Sequence, residues 1–354
     1  MAKNNLNAAK SAKKDEFYTQ LSDIENELRY YKHHFRGKTV LCNCDDPYES
    51  HFFKYFALRF NQLGLKKLIC TCYNGSPIYG NELQYELFDK PTKQAHKVEI
   101  TEVKDLNGDG AIDLSDVRYL LQNDKNVIQT LQTGDFRDPE CIEFIKQADI
   151  VVTNPPFSLF REYVEQLLKY DKQFLIIGNQ NNVTYKEIFP LLMENKIWLG
   201  YKSGDMAFRV PDYYEPRDTR YWQDETGQKW RSLGNICWFT NLDHSKRHET
   251  LDLVCHYSPE EYPTYDNYNA INVNKVQDIP CDYDGAMGVP VTFLDKYNPE
   301  QFDILNANHY RKNGLVPLKP HGLIKDKDGA INGKPTYARI LIRNKKPEQR
   351  HDDN

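Results

Sequence analysis

The sequence predicts an α/β fold in which buried parallel strands alternate with helices, and three observations support this. Residues 150–153 form a β-branched run typical of a buried parallel strand. The run ends at two successive prolines, which have no N–H and cannot continue a ladder of hydrogen bonds. Residues 159–170 then carry apolar side chains at helical spacing, with Ser158 as the expected N-cap. Because open α/β sheets bind ligands at the carboxyl ends of their strands, residues 154–157 become the candidate site.

The remaining elements follow the same alternation along the chain. Further strands are predicted at 38–42, 65–73, 172–178 and 235–240, and helices at 21–34, 50–60, 138–147 and 186–195. Residues 197–202 and 205–210 are predicted to form a hairpin around Ser203 and Gly204.

Composition sets broad limits on the class of protein. The chain has 354 residues, of which 40% are hydrophobic and 27% charged, and these values are ordinary for a soluble globular protein. No 18-residue apolar run is present, so no membrane span is expected. Eight cysteines lack the density of a disulfide scaffold, which favours free thiols and a cytoplasmic location.

The charge is unevenly distributed. The net charge of −5 argues mildly against a nucleic-acid binder, but residues 301–354 hold eleven Lys and Arg against six Asp and Glu. Residues 1–14 hold four lysines and no acid, without the apolar core of a secretory signal, and are predicted to be a flexible basic arm. Either end could contact phosphates or be a solvated tail.

The tetrapeptide Asn154-Pro155-Pro156-Phe157 has the groups needed to activate an amine. Asparagine offers one carbonyl acceptor, and the rigid prolines leave their own carbonyls free. Phenylalanine offers a face on which a planar base can stack, worth roughly 1–3 kcal/mol. Two acceptors directed at an exocyclic amine would draw its hydrogens and leave the nitrogen lone pair free for attack. The alternative is a strand-terminating turn without chemistry.

This tetrapeptide resembles the catalytic motif of amino-methyltransferases, which transfer a methyl group from S-adenosylmethionine to the exocyclic amine of adenine. Three further segments resemble the EcoRI-type adenine-specific DNA methyltransferases: D-E-F-Y-T at 15–19, C-N-C-D-D-P at 42–47 and Y-N-P-E-Q-F at 297–302. The resemblance covers roughly residues 15–310. It implies a Rossmann-like S-adenosylmethionine-dependent methyltransferase sheet with helices on both faces, followed by a C-terminal target-recognition region.

The resemblance also implies a cofactor site built from three segments, namely Phe17-Tyr18-Thr19, Asn43-Cys44-Asp45-Asp46 and Asp135-Phe136. Carboxylates in the second segment suit a sulfonium cation, and its lack of glycine excludes a dinucleotide fingerprint. The third segment would contact the adenine of the cofactor. No acid is evident for the ribose before Glu82, so the ribose ligand is unassigned. The alternatives are core packing for the first segment and helix capping for the third.

Residues 105–116 match a calcium-loop pattern inside a predicted insertion at 99–121, with the ligands Asp105, Asn107, Asp109, Asp113 and Asp116. Position 12 is Asp instead of the usual Glu, as in dockerin-type loops. A bound calcium ion would brace the insertion, because methyl transfer needs no metal. Since no clear helix precedes it, the loop could instead be an acidic turn closed by Asx and glycine chemistry.

Two Cys-x-Cys pairs, at 42/44 and 70/72, raise the question of a thiolate metal site. Strand alternation places each pair on one face of its strand, where cysteine packs as a small hydrophobic residue. Core packing is therefore favoured over metal binding.

The combined prediction is a site-specific DNA adenine-N6 methyltransferase acting on an adenine flipped out of double-stranded DNA. Phe157 would stack on the base, and the Asn154 side-chain oxygen and Pro155 carbonyl would accept from its amine. Residues 15–200 would form the cofactor-binding and catalytic core. Residues 201–354, where aromatic and charged side chains interleave, would add late core strands and the target-recognition region.

The expected partner is double-stranded DNA, with no membrane and with a monomeric chain. A companion restriction endonuclease would act on the same DNA without direct contact. Two alternatives remain open: a methyltransferase acting on RNA or on a protein glutamine, and a non-catalytic DNA- or calcium-binding relative of the fold.

Overall fold

The structure is a computed structural model, and it describes residues 17–44, 50–72, 95–105, 108, 112–123, 128–210, 212, 214–312, 318 and 320–349. The chain divides into two compact units. The first comprises Met1–Gln180 and Lys202–Leu242, and the second comprises Asn181–Tyr201 and Asp243–Asn354. The predicted division at residue 200 concerned functional roles and stays a prediction.

The described residues form short strands and helices throughout. The strands are β1 (Tyr18–Thr19), β2 (Thr39–Asn43), β3 (Lys67–Cys72), β4 (His96–Ile100), β5 (Ile128–Thr130), β6 (Ile150–Thr153), β7 (Gln173–Asn179), β8 (Trp198–Arg209), β9 (Tyr221–Gln223), β10 (Lys229–Thr240), β11 (Ile271–Asn272), β12 (Met287–Pro290), β13 (Phe302–Leu305), β14 (Ala330–Ile331), β15 (Lys334–Pro335) and β16 (Arg339–Asn344). The α-helices are α1 (Leu21–Leu28), α2 (His51–Leu58), α3 (Phe60–Leu63), α4 (Leu114–Asn123), α5 (Pro139–Gln147), α6 (Phe160–Lys169) and α7 (Phe189–Met193).

The described strands β1 to β10 build one mixed sheet. Its order is β1-β8-β10-β7-β6-β2-β3-β4-β5, with β9 paired to β10. Strand β2 is parallel to β3 and β6, and β6 is parallel to β7, which confirms the predicted parallel centre. Strands β4, β5 and β10 pair antiparallel with their neighbours β3, β4 and β7. The chain passes from β2 to β3, β4 and β5 on one side of β2. It then returns to form β6 on the other side of β2, so a switch point lies between β2 and β6.

Helices cover both faces of this sheet. Alternate strand residues such as Val40 and Val152 join one hydrophobic core with residues of α1, α2 and α3. On the opposite face, Phe160 of α6 packs at 4.8 Å from the ring of Phe239. Its ring lies so close to β7 that a Cβ on Gly178 would come within 2.5 Å of it. A glycine at this position therefore allows α6, and the loop that leads into it, to lie against the strand.

Local sequence signals located some elements well and others less well. Strand β6 begins and ends as predicted, whereas the predicted helix 186–195 shortens to Phe189–Met193. The predicted N-cap at Ser158 is wrong, because a 3-10 turn, Phe157–Leu159, precedes α6 and Ser158 makes no capping bond.

The predicted hairpin at 197–210 is also wrong. Residues 198–209 form one twelve-residue strand, β8, which lies between β1 and β10 in the sheet. Gly204 adopts a φ of 125° within it, and the strand continues through the Ser-Gly pair without a turn. Pairing to a neighbour on each side outweighed the local turn signal, as tertiary context does for marginal strand propensities.

The prediction that the cysteines pack in the core is confirmed for Cys42, Cys70 and Cys72 but not for Cys44, which follows β2 and is only partly buried. Cys42 and Cys70 are paired across β2 and β3, and both are fully buried in the main hydrophobic core. Cys72 is buried beside His96, with 3.1 Å between Sγ and Nδ1. Cysteine therefore packs here as a small apolar residue.

The second unit has its own sheet and core. Strands β11, β12, β16 and β13 form a four-stranded sheet in that order, and β14 pairs with β15. The residues packed together in its core include Tyr265, Tyr268, Ile324 and Leu341. Among the helices of the described residues, none has the length and hydropathy needed to cross a membrane.

Candidate active site

Asn154 follows directly after β6, and its side chain is held in one orientation. The amide nitrogen Nδ2 donates to the Phe17 carbonyl at 2.6 Å and lies 3.3 Å from the Thr19 Oγ1. The amide oxygen Oδ1 is buried and finds no donor within the described part of the chain. Because the nitrogen end is engaged, the side chain presents only its acceptor, as the predicted role requires.

Phe157 belongs to an aromatic cluster beside this amide. Its ring stacks on Phe17, with 5.3 Å between centroids and 27° between planes, and meets Phe208 edge-on at 6.5 Å. The cluster continues from Phe17 to Tyr214 at 6.2 Å. Phe157 is only half-buried, so part of its ring remains accessible. One residue, Phe17, therefore contacts both Asn154 and Phe157.

Asn43 ends β2 and links it to β6. Its backbone carbonyl accepts a hydrogen bond from the Thr153 hydroxyl, and its side-chain Oδ1 accepts one from the Tyr163 hydroxyl. The side-chain Nδ2 is buried and has no acceptor among the described residues. Asn43 therefore presents a donor at the end of β2, the strand next to β6, and Asn154 directly follows β6.

Cys44 turns the chain out of β2 in a conformation that usually falls to glycine. Its φ is 67°, in the left-handed region. A non-glycine residue held there costs of order 1–3 kcal/mol, and such strain concentrates at functional sites. Cys44 therefore adopts a left-handed conformation in a segment that has no glycine. The predicted cofactor contacts Asp45 and Asp46 lie outside the described residues.

The predicted cofactor contacts at 135–136 approach the same region through Tyr163. Phe136 is buried, and its ring meets that of Tyr163 edge-on at 5.0 Å. The tyrosine hydroxyl in turn bonds Asn43, so two of the three predicted cofactor segments share one neighbour. Sequence reasoning assigned Tyr163 to the apolar face of α6 and gave no signal for this role.

Asp135 is ionised and tightly held. Burial alone would raise the pKa of its carboxyl, but the hydrogen bonds and charge of Arg137 outweigh burial and hold the pKa below its usual value of 3.8. The Arg137 side chain donates to the two carboxylate oxygens at 2.8 and 2.6 Å. The backbone N–H of Arg137 adds a third bond at 2.9 Å. Asp135 does not cap α5: its Oδ1 accepts two of the Arg137 bonds, whereas its Oδ2 accepts one and retains a second lone pair.

The first predicted cofactor segment has a further neighbour that sequence reasoning missed. Tyr18 and Thr19 form β1 and pair with β8, and the guanidinium of Arg209 lies 5.3 Å above the Tyr18 ring. The Nδ1 of His51 lies 2.7 Å from the Thr19 carbonyl, at the beginning of α2. These contacts fix the segment that holds Asn154.

Three carboxylates of the calcium-like loop accept hydrogen bonds from the backbone of the same loop. Asp105 accepts from the Gly108 N–H at 2.6 Å, and Asp113 accepts from the Ser115 N–H at 2.6 Å. The bonds from Ser115 hold the pKa of Asp113 below its usual range. Asp116 is fully buried and accepts from the Asp113 N–H at 2.9 Å. The other two predicted ligands, Asn107 and Asp109, lie outside the described residues.

A mixed α/β sheet with an Asn-Pro-Pro-Phe loop at its switch point, where open α/β sheets bind ligands, is consistent with the class of α/β methyltransferases. Comparison with known proteins identifies the family within this class. Residues 5–345 match the family described as adenine-specific methyltransferase EcoRI, and the chain belongs to that family.

Three relatives match over nearly their full lengths. The chain is 49% identical over 352 residues to the type II methyltransferase M.EcoRI of Escherichia coli, covering 96% of each chain. It is 39% identical over 349 residues to M.MgeORF184P of Mycoplasma genitalium, covering 96% of this chain and 98% of the relative. It is 37% identical over 349 residues to M.MpnI of Mycoplasma pneumoniae, covering 96% and 97%. No solved structure matches the chain significantly.

Proposed function

We propose that this adenine-specific methyltransferase modifies N6 of an adenine turned out of double-stranded DNA at a specific site, and that residues 154–157 hold the reacting amine. The observation that carries the proposal is the Asn154 side chain, whose nitrogen end is engaged and whose buried oxygen has no donor among the described residues. A buried acceptor without a partner costs about 1–3 kcal/mol, so it is expected where a ligand supplies the donor.

The family uses S-adenosylmethionine, and the residues near the switch point suit it. Asn43 offers a buried donor for a carboxylate or a ring nitrogen. Asp135 offers an ionised acceptor for an amine, and its neighbour Phe136 offers an apolar surface for an adenine ring. The methionine end would face residues 17–19. When bound, S-adenosylmethionine supplies an electrophilic methyl group on a sulfonium.

The contribution of the protein to the reaction is positioning. Asn154 Oδ1 and the Pro155 carbonyl accept from the target amine, which orients the lone pair on N6. The same two acceptors stabilise the positive charge that develops on the nitrogen. We propose that Phe17 supports one face of Phe157 and that the base stacks on the other. This stacking is worth roughly 1–3 kcal/mol and offsets part of the few kcal/mol needed to turn the base out of the duplex.

We also propose roles for the main sheet, for residues 201–354 and for the loop at 105–116. The mixed sheet would be a Rossmann-like methyltransferase sheet, and residues 201–354 would include the elements that recognise the target sequence. In support, Trp222 is 41% exposed and stacks on Trp230, with 6.3 Å between centroids and 10° between planes. Exposed aromatic and basic side chains suit contacts to bases and phosphates. Calcium binding by the loop at 105–116 would be structural.

Methyl incorporation into three classes of substrate tests the proposed reaction. Purified protein is incubated with tritiated S-adenosylmethionine and unmethylated DNA, RNA or protein, with Asn154→Ala as the matched control. We expect label in DNA alone and a large loss of label in the variant. Modification-sensitive sequencing of DNA from a methylation-free host that expresses the protein would then give the base and its sequence context. Label in RNA or protein but not in DNA would contradict the proposal.

A further inference from the structure

A cluster of potential metal ligands lies in the second unit, where three extended segments meet. The backbone N–H of Cys281 donates to the Cys255 carbonyl at 2.8 Å, and the N–H of Glu348 donates to the Cys281 carbonyl at 2.9 Å. The side-chain Nδ2 of Asn344 also reaches the Cys281 carbonyl at 3.3 Å. The backbone around Cys281 is therefore fixed from both sides.

Three side chains of different types converge at this point. The Nδ1 of His256 lies 3.5 Å from the Cys281 Sγ and 3.5 Å from the Asp282 Oδ2. The three ligand atoms all lie within 4.8 Å of one another. Tetrahedral Zn²⁺ has bonds of about 2.3 Å to sulfur and about 2.0–2.1 Å to nitrogen or oxygen, which place its ligands about 3.3–3.6 Å apart. The separations of His256 Nδ1 from Cys281 Sγ and from Asp282 Oδ2, 3.5 Å each, lie within this range.

The orientation of Asp282 also suits a metal ligand. Its Oδ1 accepts from the Tyr257 N–H at 2.7 Å, while its Oδ2 is the oxygen that faces His256. Its side chain is only 2% exposed, whereas that of His256 is 71% exposed. A hydrogen bond that fixes one oxygen of a carboxylate and orients the other is the usual support around a metal ligand.

A catalytic triad is a less suitable explanation for the same residues. In a triad the two nitrogens of the imidazole face different partners, but here Nδ1 faces both Cys281 and Asp282. Convergence of several ligand atoms on one point is instead the geometry of chelation.

We propose that His256, Cys281 and Asp282 form a structural Zn²⁺ site. The fourth position would be taken by the Glu348 carboxylate, which accepts from the Cys281 thiol and lines, with Cys281, an adjoining cavity of about 530 Å³. Binding forms a sulfur–zinc bond and releases the thiol proton to solvent. The ion would join the segment at 255–257 to the segment at 281–282, and it has no part in the proposed methyl transfer.

Zinc titration of the full chain tests this site. The metal-free protein is titrated with ZnCl₂ against a chromophoric zinc chelator and, in parallel, with CoCl₂ while the absorption spectrum is recorded. The variants are Cys281→Ser and His256→Ala. The control is His248→Ala, because His248 is also an exposed histidine of the second unit but pairs with Asp243 instead.

We expect one tightly bound Zn²⁺ and a thiolate-to-cobalt charge-transfer band in the unmodified chain. Both variants should bind zinc at least about tenfold more weakly, in line with the loss of a metal ligand. Cys281→Ser should lose the charge-transfer band, and His248→Ala should behave like the unmodified chain. Zinc should raise the melting temperature of the unmodified chain but not that of His256→Ala, whose exposed side chain is not needed for folding. Absence of zinc binding, or equal binding in all variants, would overturn the proposal.

Discussion

Two asparagines at the ends of neighbouring parallel strands make opposite use of the same side chain. Asn43, at the end of β2, engages its oxygen with Tyr163 and leaves its nitrogen buried without an acceptor in the described part of the chain. Asn154, just after β6, engages its nitrogen with Phe17 and leaves its oxygen buried without a donor among the described residues. Within the described residues, these two asparagines thus present a donor and an acceptor at the switch point.

The difference shows how the surroundings select the function of an amide. An asparagine has both a donor and an acceptor end, and it can rotate to satisfy either. Here a partner distant in sequence binds one end of each side chain and so determines which end remains for a ligand. The two unmatched groups cost about 1–3 kcal/mol each, a loss that ligand binding would reverse. Substitutions that exchange these roles test the comparison directly.

The largest expected effect is that of Asn154→Ala. Loss of the side-chain acceptor, one of the two proposed for the target amine, should reduce the rate of methyl transfer by about 10²–10³-fold, the usual effect of removing one group that stabilises developing charge. Cofactor affinity should change by less than about twofold, since Asn154 is proposed to face the target amine. Single-turnover methylation and calorimetry measure the two quantities. Full activity in the variant would contradict the assignment of Asn154.

Asn43→Asp should lower the affinity for the cofactor and not the rate of methyl transfer, the converse of Asn154→Ala. Aspartate keeps the oxygen that accepts from Tyr163 but removes the donor proposed for the cofactor. We expect an affinity for S-adenosylmethionine about tenfold lower, as for the loss of one good hydrogen bond. The methylation rate at saturating cofactor should be nearly unchanged. Tyr163→Phe serves as the control, because it removes the oxygen partner and leaves the nitrogen in place. An unchanged affinity in Asn43→Asp would remove the distinction between the two asparagines.

Asp135→Ala tests the acceptor proposed for the adenine of the cofactor, and we expect a severalfold loss of cofactor affinity by calorimetry. The pH dependence follows from the lowered pKa. Since the folded pKa lies below the usual 3.8, the ionised carboxylate and its bonds to Arg137 are present above that pH. Their contribution to stability is lost only as the pH falls through the lower folded value. A decline in cofactor affinity from pH 7 to pH 5 that Asp135→Ala abolished would contradict the lowered pKa of Asp135.

The smallest expected effect concerns Cys44, the strained residue that follows Asn43. Cys44→Gly relieves the left-handed strain but adds freedom to the unfolded chain, so we expect a gain of about 1 kcal/mol or less in the free energy of unfolding. Cys44→Ala keeps the strain and should show no such gain. Urea denaturation compares the two variants. A destabilised Cys44→Gly protein would indicate that contacts of the thiol outweigh the backbone strain.

The sequence was sufficient where the signal was local. Strand β6 was predicted to the residue, because a β-branched run ends at two prolines that fix its boundary. The parallel centre of the sheet and the burial of Cys42 and Cys70 followed from the same kind of pattern. The family resemblance, on a rigid tetrapeptide and three short segments, was confirmed by a match over residues 5–345.

What could not be predicted depends on contacts between distant parts of the chain. The bond that orients Asn154 joins residues 137 positions apart, and the bond between Tyr163 and Asn43 joins residues 120 apart. Nothing in the local sequence distinguishes the two asparagines. The hairpin predicted around Gly204 failed for the same reason, because the neighbours β1 and β10 determine that β8 continues.

The donor and acceptor at the switch point also suggest how to inhibit such an enzyme selectively. Neighbouring strands lie about 4.8 Å apart, so a single molecule can reach both strand ends. A bisubstrate compound that links an adenine to a sulfonium mimic through its exocyclic nitrogen would satisfy Asn43 and Asn154 together. Its affinity should exceed that of either half alone, because one association step would form both of the proposed hydrogen bonds.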